Sequence, residues 1–422
     1  MDTDSVLALG LRRAGGIRPA VFHGPDADVE VDAEADVRPG APASGAWVPG
    51  MAVGRRKWVA LPAPLGLEGG GVLPDVRLAY ESWGRLAPDA SNAVLVLHGL
   101  TGDSHASGPA MPGHPTAGWW DALVGPGRAV DTNRWFVVAP NVLGGCQGST
   151  GPASPTRHGH PWGSRFPALT IRDQVAAEAG LADALGIRTW AAVLGGSMGG
   201  MRALEWAVGR PDRVRTLGVL ACSAAATADQ IAWSVPQLHA IRSDPRWRGG
   251  DYYGAPAGHG PHRGLGNARR IAHITYRGGA ELEERFGRRT EREKRPLVPG
   301  GDGAAPTPPT RRYAVESYLD HHARKLVHRF DAGSYVVLTD AMNRHDIGRG
   351  RGGVDAALRY VRADAFVLGF SSDRLFPPYE QRRIARGLPR CAHFSVVESA
   401  TGHDGFLTEH EQVGAVLRQA LR

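Results

Sequence analysis

The stretch from Trp190 to Met201 constrains the fold more than any other part of the chain. Its apolar first half predicts a short buried strand, and the residues from Met201 to Val208 predict a helix. Gly195, Ser197 and Gly199 stand between them, at the spacing of a sharp strand-to-helix turn that exposes a serine hydroxyl. The backbones around such a turn crowd each other, so residues without side chains are needed on both sides of the serine. This serine turn therefore predicts that Ser197 is a nucleophile rather than one serine in a glycine-rich loop.

Strand and helix patterns alternate on both sides of the serine turn. Further strands are predicted at Val76–Trp83, Asn92–His98, Trp135–Pro140, Thr216–Cys222, Ala363–Phe370 and His393–Glu398. Helices are predicted at Thr170–Leu185, Pro378–Ala385 and Phe406–Leu421. Such alternation is typical of α/β proteins with a mostly parallel sheet and helices on both faces. Together with the serine turn it predicts the α/β-hydrolase fold.

The alternation stops over residues 224–345, which predict an inserted helical lid. The helical segments there are Ala224–His239, Leu265–Tyr276, Ala314–His328 and Ser334–Met342, with an exposed loop rich in Gly and Pro at Gly300–Thr310. The α/β core is then expected at 51–223 and 346–422. Residues 1–50 have no sustained hydrophobic period, so we expect a disordered or loosely attached extension.

The other members of a catalytic triad follow from chain order and position. In this fold the acid and then the histidine come after the serine, each just beyond the carboxyl end of a strand. Asp373 directly follows the strand that ends at Phe370, and His403 follows the last predicted strand. Asp364 is a weaker alternative, since it precedes its strand. We expect His403 to accept the Ser197 proton and Asp373 to orient the imidazole and stabilise its charged form.

Two backbone N–H groups are candidates for an oxyanion hole. The N–H of Met198 lies at the start of the helix after Ser197 and points towards any oxyanion formed there. The loop after the strand Asn92–His98 supplies the second donor in this fold, and Leu100 is our candidate.

Composition narrows the class of protein and its partners. The 49 Lys and Arg exceed the 42 Asp and Glu for a net charge of +7, but these charges are spread along the chain. We interpret them as arginine-rich bias and expect no nucleic-acid partner. The three cysteines, Cys146, Cys222 and Cys391, have no metal-ligand spacing, so we expect no metal. Without a signal-peptide pattern or a membrane-length apolar run, we expect a cytoplasmic protein with no membrane contact.

From about Val76 onward, the chain resembles the homoserine O-acetyltransferases, a family with the α/β-hydrolase fold. The matching segments are Leu78–Gly84, Gly118–Asp121, Gly125–Gly127, Asn141–Pro152, Thr170–Asp173, Leu194–Trp206, Gly249–Tyr253, Ala268–Tyr276, Arg329–Ala332, Ser371–Pro378 and Gly402–Asp404. So many motifs in one order make chance agreement remote. The family usually has alanine where this chain has Gly99, and asparagine where it has Gly333.

The resemblance implies a ping-pong reaction. Ser197 would take an acetyl group from acetyl-CoA, and the hydroxyl of L-homoserine, deprotonated by His403, would attack the acetyl-enzyme. This reaction is the first committed step of methionine biosynthesis from homoserine. By the same resemblance Arg269 would bind the substrate carboxylate and Asp404 its ammonium, with Arg270 as an alternative to Arg269 and a helix cap as an alternative role for Asp404.

The resemblance further implies a homodimer formed through lid helices and no permanently bound cofactor, with acetyl-CoA as a co-substrate. Other readings of the same scaffold stay open at this point. They are a homoserine O-succinyltransferase, a serine O-acyltransferase and a serine esterase.

Overall fold

A single large sheet organises the part of the chain that the computed structural model describes, residues 41–292 and 311–422. In chain order its eight strands are β1 (Lys57–Ala60), β2 (Arg77–Trp83), β3 (Ala93–Leu97), β4 (Phe136–Pro140), β5 (Trp190–Gly196), β6 (Val214–Leu220), β7 (Asp364–Phe370) and β8 (Cys391–Val397). They lie side by side in the order β1-β2-β4-β3-β5-β6-β7-β8. Strand β2 is antiparallel to β1 and β4, and the strands from β4 to β8 across the sheet run parallel.

Both faces of this sheet are covered by helices. The core helices are α1 (Ile171–Ala184), α2 (Met198–Gly209), α8 (Val354–Leu358), α9 (Pro378–Gly387), α10 (Gly405–Thr408) and α11 (His410–Ala420). Leu95 and Leu97 of β3 pack in one hydrophobic cluster with side chains of α1, whereas Val94 and Val96 pack in a second cluster with side chains of α11. Since successive strand residues point to opposite faces, β3 is apolar throughout. The predicted α/β-hydrolase fold is confirmed.

Five α-helices lie between β6 and α8 in the described part of the chain. They are α3 (Ala228–Arg242), α4 (His262–Tyr276), α5 (Gly279–Phe286), α6 (Ala314–Val327) and α7 (Ala332–Asn343). Helix α4 packs between α3 and α6, and α3 also contacts α7. All five fall inside the range 224–345 that the sequence assigned to a lid. The loop predicted at Gly300–Thr310 lies outside the described residues.

Three short strand pairs lie apart from the large sheet in the described ranges. They are Leu65–Gly66 with Val72–Leu73, Val124–Gly125 with Val130–Asp131, and Thr290–Arg292 with Arg311–Tyr313. The two strands of the last pair lie between α5 and α6 in the chain.

The N-terminal segment differs from its prediction where the structure describes it. Residues 1–40 of the predicted loose extension lie outside the described residues. Residues 41–47, however, are packed against the lid: Ala46 is buried, and the Ser44 hydroxyl donates a 2.7 Å hydrogen bond to Asp331. The expectation of loose attachment is wrong for these residues. Small side chains carry little periodic signal, which is why the sequence pattern gave no sign of their burial.

Two helix boundaries also differ from the sequence predictions. Helix α2 begins at Met198 instead of Met201, because the glycines after the serine form its first turn. The predicted C-terminal helix is divided into α10 and α11, since Glu409 between them has a non-helical ψ of 57°. None of the helices in residues 41–292 and 311–422 is long and apolar enough to cross a membrane.

Candidate active site

The serine turn has the strained backbone that the sequence pattern predicts. Ser197 lies at φ 58° and ψ −127°, a conformation that residues with side chains rarely adopt. A Cβ atom on Gly195 would overlap the carbonyl of Gly199, and one on Gly199 would overlap the carbonyl of Leu97. The Ser197 N–H donates a 3.0 Å hydrogen bond to the carbonyl of Leu220 at the end of β6. The surrounding strands therefore hold Ser197 in its strained position.

Asp373 and His403 meet at the carboxyl ends of β7 and β8. The Nδ1 atom of His403 lies 2.8 Å from Oδ2 of Asp373, and both side chains are buried. The other carboxylate oxygen, Oδ1, accepts the backbone N–H groups of Leu375 and Phe376 at 2.9 and 2.8 Å. Because two backbone donors fix Oδ1, the carboxylate has one orientation, in which Oδ2 faces the imidazole.

Aromatic rings pack around this imidazole, and one of them also contacts the serine turn. Phe376 stacks on His403 with 5.0 Å between ring centroids, and Phe406 contacts it edge-on at 5.5 Å. The Phe406 ring also lies against the serine turn: a Cβ atom on Gly99 would be 3.7 Å from Cζ of Phe406 and 3.7 Å from Cβ of Ser197. The Phe406 ring thus contacts both the serine turn and the imidazole of the His403–Asp373 pair, and the joint role of Ser197, Asp373 and His403 as a triad stays a prediction.

The two predicted oxyanion donors come from the residue after Ser197 and from the turn after β3. Met198 is the first residue of α2, and Leu100 lies in the turn after β3. Neither N–H donates a hydrogen bond to another group within the described ranges. Both donors are therefore available to an oxyanion next to Ser197.

A buried ion pair supports the loop that carries Leu100. Arg202 of α2 donates 2.6 Å hydrogen bonds to Glu178 of α1 and to the carbonyl of His98. His98 accepts the N–H of Val142 at its Nε2 atom, so its Nδ1–H donates to the carbonyl of Gly99 at 2.7 Å. Burial and the Arg202 charge lower the pKa of His98 to about 3, which keeps it neutral. These bonds fix the backbone just before the Leu100 donor.

A cavity of about 660 Å³ opens next to these groups, and we call it the large cavity. Its walls come from the N-terminal segment, the loop around residues 101–119, and the lid helices α4 and α6. The cations among its described lining residues are Arg269, Arg277, Lys325 and Arg329, whereas the carboxylates are Asp103 and Asp404. The large cavity therefore favours an anionic or zwitterionic ligand.

The two adjacent arginines of α4 have different surroundings. Arg269 lines the large cavity, where its guanidinium lies 3.4 Å from the Thr101 hydroxyl and 5.4 Å from the centroid of the Tyr276 ring. Its buried Nε atom has no hydrogen-bond partner in the described ranges. Arg270 points elsewhere and binds Asp320 at 2.6 Å. Arg269, the predicted residue, is thus the one with spare hydrogen-bonding capacity towards the cavity.

Asp404 also lines the large cavity and does not act as a helix cap. It immediately precedes α10, but its side chain accepts no capping hydrogen bond. Its carboxylate lies 3.4 Å from Arg277, and its side chain retains 19% exposure. Burial raises the pKa of Asp404, although the charges of Arg277 and His403 oppose this. An ammonium group entering the cavity would restore the stability of the ionised carboxylate.

Several cavity residues escaped the sequence analysis. His273 and Arg277 follow Arg269 at four-residue intervals, and Tyr318 and His322 have the same spacing on α6. Residues four apart share one face of a helix, so this spacing was the available signal. Arg277 forms an ion pair with Glu281. Burial opposes the charged form of Arg277, but the hydrogen bond to Glu281 and the nearby charges, Asp404 among them, together raise its pKa. Of the segment Asn141–Pro152, only Gln147 is among the described lining residues of the large cavity.

One group of potential metal ligands occurs in the described ranges, namely Glu81, His105 and His114. His105 Nδ1 lies 2.9 Å from Glu81, and His114 Nε2 accepts the N–H of Arg55 at 3.1 Å. The two imidazole rings stack at 4.0 Å with an interplanar angle of 8°. An imidazole binds a metal in the plane of its ring, and two parallel planes this far apart share no such position. In this arrangement His105 is hydrogen-bonded to Glu81 and His114 stacks on His105, and the expectation of no metal stays a prediction.

Comparison with known proteins agrees with this geometry. Residues 92–410 match a family described as alpha/beta hydrolase fold. The chain is 61% identical over 386 residues to the homoserine O-acetyltransferase of Thermobifida fusca (strain YX), which covers 92% of this chain and 99% of that protein. Identity to the homoserine O-acetyltransferase of Clavibacter michiganensis subsp. michiganensis (strain NCPPB 382) is 56% over 383 residues, or 90% and 96% of the two chains. The chain belongs to the homoserine O-acetyltransferase family.

Solved structures show the same fold. The homoserine O-acetyltransferase from Bacillus anthracis superimposes with a TM-score of 0.74 at 26% identity, covering 87% of this chain and 97% of that one. Esterase E22 superimposes with a TM-score of 0.76 at 24% identity, covering 87% and 99%, and this likeness shows the fold alone. Family membership makes the chain an O-acyltransferase, as the sequence resemblance implied.

The two departures from the homoserine O-acetyltransferase pattern have different structural meanings. A Cβ atom on Gly333 would overlap the hydroxyl of Tyr253, which donates a 2.9 Å hydrogen bond to Asp331. Tyr253 therefore occupies the space that a side chain at 333 would need. At Gly99 an added Cβ would make only ordinary contacts of 3.7 Å, so the alanine usual in the family fits there.

Proposed function

We propose that the protein transfers an acetyl group from acetyl-CoA to the hydroxyl of L-homoserine through an acetyl-Ser197 intermediate. One observation carries the proposal: Arg269 and Asp404, of opposite charge, line the same cavity beside the His403–Asp373 pair. A free amino acid carries one charge of each sign, and fixed partners for both orient its side chain. An enzyme for simple esters has no need of such a pair.

In the first half-reaction the Ser197 hydroxyl attacks the thioester carbonyl, and Nε2 of His403 accepts the serine proton. The N–H groups of Leu100 and Met198 stabilise the oxyanion, an interaction worth roughly 3–4 kcal/mol for each donor. As the C–S bond breaks, His403 returns the proton to the leaving thiolate. The products are acetyl-Ser197 and CoA.

In the second half-reaction the hydroxyl of L-homoserine attacks acetyl-Ser197. His403 accepts the hydroxyl proton and then returns it to Ser197 as the C–O bond to the enzyme breaks, while Asp373 stabilises the imidazolium. Arg269 binds the carboxylate of the amino acid, and Asp404 binds its ammonium. The product is O-acetyl-L-homoserine, and the enzyme is restored.

The large cavity supports a coenzyme A thioester as the donor. Coenzyme A is a polyanion with a long flexible arm, and the cations of the cavity outnumber the carboxylates among its described lining residues. A volume of about 660 Å³ lies in the range of small-molecule binding sites. Acetyl-CoA is a co-substrate in this proposal, with no permanently bound cofactor.

The remaining parts of the proposal concern the setting of the reaction. We place the product in methionine biosynthesis and the protein in the cytoplasm. We further propose a homodimer through the lid helices, where Val235 of α3 and Ile274 of α4 are exposed apolar side chains. Light scattering of the purified protein tests the dimer, and a monomeric mass at micromolar concentration would exclude it.

The test of the reaction follows release of free thiol from acetyl-CoA, with and without L-homoserine, and identifies the amino-acid product by mass. We expect homoserine-dependent release that is absent from Ser197→Ala and retained by Ser91→Ala, a matched change outside the site. Parallel assays use succinyl-CoA and L-serine, because a preference for either would change the substrate while retaining the mechanism. Thiol release that is independent of any amino acid would identify a hydrolase and refute the proposal.

A further inference from the structure

A second, much smaller cavity lies beside the same catalytic groups. Its volume is about 40 Å³, and Leu100, Met201, Trp233, Leu375 and Phe376 form its apolar wall. It shares no lining residue with the large cavity, but the two meet at neighbouring positions in the chain, because Leu100 precedes Thr101. The loop after β3 therefore borders both cavities. We call the smaller one the acyl cavity.

Contacts place the acyl cavity next to the atoms that would carry an acyl group. Leu100 supplies a candidate oxyanion N–H, and the Met201 N–H donates a 3.1 Å hydrogen bond to the carbonyl of Ser197. Phe376 stacks on the ring of His403. An acyl carbonyl bound to Ser197, with its oxygen on the Leu100 N–H, thus has the wall of this cavity as its neighbour.

We propose that the acyl cavity receives the alkyl end of the acyl group on Ser197 and restricts the donor to short, uncharged acyl groups. This inference rests on the proposed function and deepens it, since it names the residues that select acetyl over succinyl. The argument depends on the size of the cavity and on its charge.

The size of the acyl cavity favours a methyl group. One water needs roughly 10–15 Å³ on the same measure, so a volume of about 40 Å³ holds only a few such small groups. A propionyl chain adds one methylene group to this space, and the three-carbon alkyl end of a butyryl chain would fill it and press against Trp233 or Met342, another lining residue. Acyl groups longer than acetyl are therefore expected to react progressively more slowly.

The charge of the acyl cavity disfavours a succinyl group. Its described lining includes no lysine, arginine or histidine. Several of its polar side chains already have partners: Ser234 donates to the side chain of Asn343 at 2.8 Å, and Gln230 donates to the backbone carbonyl of Leu375 at 3.2 Å. Thr339 retains a buried hydroxyl without a partner in the described ranges, but one neutral donor does not balance a carboxylate. A succinyl carboxylate would be buried here without a counter-charge.

Acyl preference can be measured without coenzyme A. p-Nitrophenyl acetate, propionate and butyrate acylate a nucleophilic serine directly, so their kcat/KM values report on the acyl cavity alone. For the wild-type protein we expect butyrate to react at least about 10-fold more slowly than acetate, the discrimination typical of one or two methylene groups. With L-homoserine present, we expect succinyl-CoA to react at least about 100-fold more slowly than acetyl-CoA.

Two variants enlarge the acyl cavity, and one serves as a control. Trp233→Ala and Met342→Ala should each raise the butyrate-to-acetate ratio by about 10-fold. His239→Ala changes an exposed residue of the same helix as Trp233 and should leave the ratio unchanged. Two enlarging variants are used so that poor folding of one, detected by its melting temperature, leaves the other as the test.

The outcomes separate this inference from the proposed function. Equal rates with acetyl-CoA and succinyl-CoA in the wild-type protein would overturn the inference and leave homoserine acylation intact. Equal loss of acetate and butyrate activity in folded enlarging variants would also overturn it. If ester preference follows the cavity as expected but no thiol release depends on homoserine, the inference stands and the proposed acceptor is wrong.

Discussion

Replacing Asp373 with asparagine tests the proposed role of His403 through the orientation of a single amide. In the wild-type protein Oδ1 accepts two backbone N–H groups, from Leu375 and Phe376, and Oδ2 faces Nδ1 of His403. An amide NH2 cannot accept those N–H groups, so the oxygen of the new side chain must take the Oδ1 position. Its NH2 then points at His403 and donates to Nδ1.

This reversal changes which nitrogen of His403 carries the proton. With Nδ1 as the acceptor, the neutral ring bears its proton on Nε2 and cannot accept one from Ser197. The variant also loses the charge that stabilises the imidazolium. A wrong tautomer in a triad of this kind lowers kcat by about 10⁴-fold, which is about 5 kcal/mol of activation free energy. The side chain of the variant still makes three hydrogen bonds, so its fold should be little affected.

The assay compares Asp373→Asn with Asp251→Asn in thiol release from acetyl-CoA and in acylation by p-nitrophenyl acetate. Asp251 also accepts a backbone N–H, from Ser164 at 2.9 Å, but in a loop apart from the triad. We expect normal rates for Asp251→Asn and near-complete loss in both assays for Asp373→Asn. The tautomer argument would be refuted by a folded Asp373→Asn protein whose rate is within tenfold of the wild-type rate. Such a loss corresponds to less than about 1.4 kcal/mol of activation free energy.

Three further predictions concern substrate binding, the serine turn and pH. Arg269→Gln should raise the KM for L-homoserine by roughly 10- to 100-fold through loss of a charge-assisted hydrogen bond, whereas Arg270→Gln should leave this KM unchanged. Steady-state kinetics in which both variants show the same KM would contradict this. Gly99→Ala should retain activity and melt no lower than wild type, because its Cβ meets atoms no closer than 3.7 Å; a large loss of activity would show that the oxyanion loop must move. Burial lowers the pKa of His345 to about 4, so as the pH drops this histidine takes up its proton in the unfolded chain before it does so in the folded protein. The free energy of unfolding should therefore fall by roughly 3 kcal/mol for this group between about pH 6.5 and about pH 4. Urea unfolding at these two pH values should show a smaller fall in His345→Gln than in the wild-type protein.

The parts of the fold that the sequence predicted well are those in which local pattern and tertiary environment agree. Strand β3 is apolar at every position, and it is buried on both faces. The segment 41–47 shows the opposite case. Its alanines and glycines have no preferred period, and their burial depends on the distant Asp331, which accepts the Ser44 hydroxyl. Such a contact depends on tertiary structure that no local pattern encodes.

The candidate site divides in the same way. Ser197, Asp373 and His403 were accessible from sequence because each stands at the carboxyl end of a strand, a position fixed by the fold. Arg277 and Trp233 were not, because their roles depend on how the lid helices are turned towards the core. A helix sequence shows which residues share a face, but it does not show which face meets a cavity.

The placement of the triad along the sheet has a consequence for biosynthesis of the protein. Ser197 follows β5, in the middle of the sheet, while Asp373 and His403 follow β7 and β8 at its far edge. A ribosome makes the nucleophile first, and folding during synthesis starts from the N-terminal side. A nascent chain can therefore hold a nearly complete serine turn while it lacks both the base and its acid. The serine can be activated only after the last two strands have been made, so incomplete polypeptides should not consume acyl thioesters.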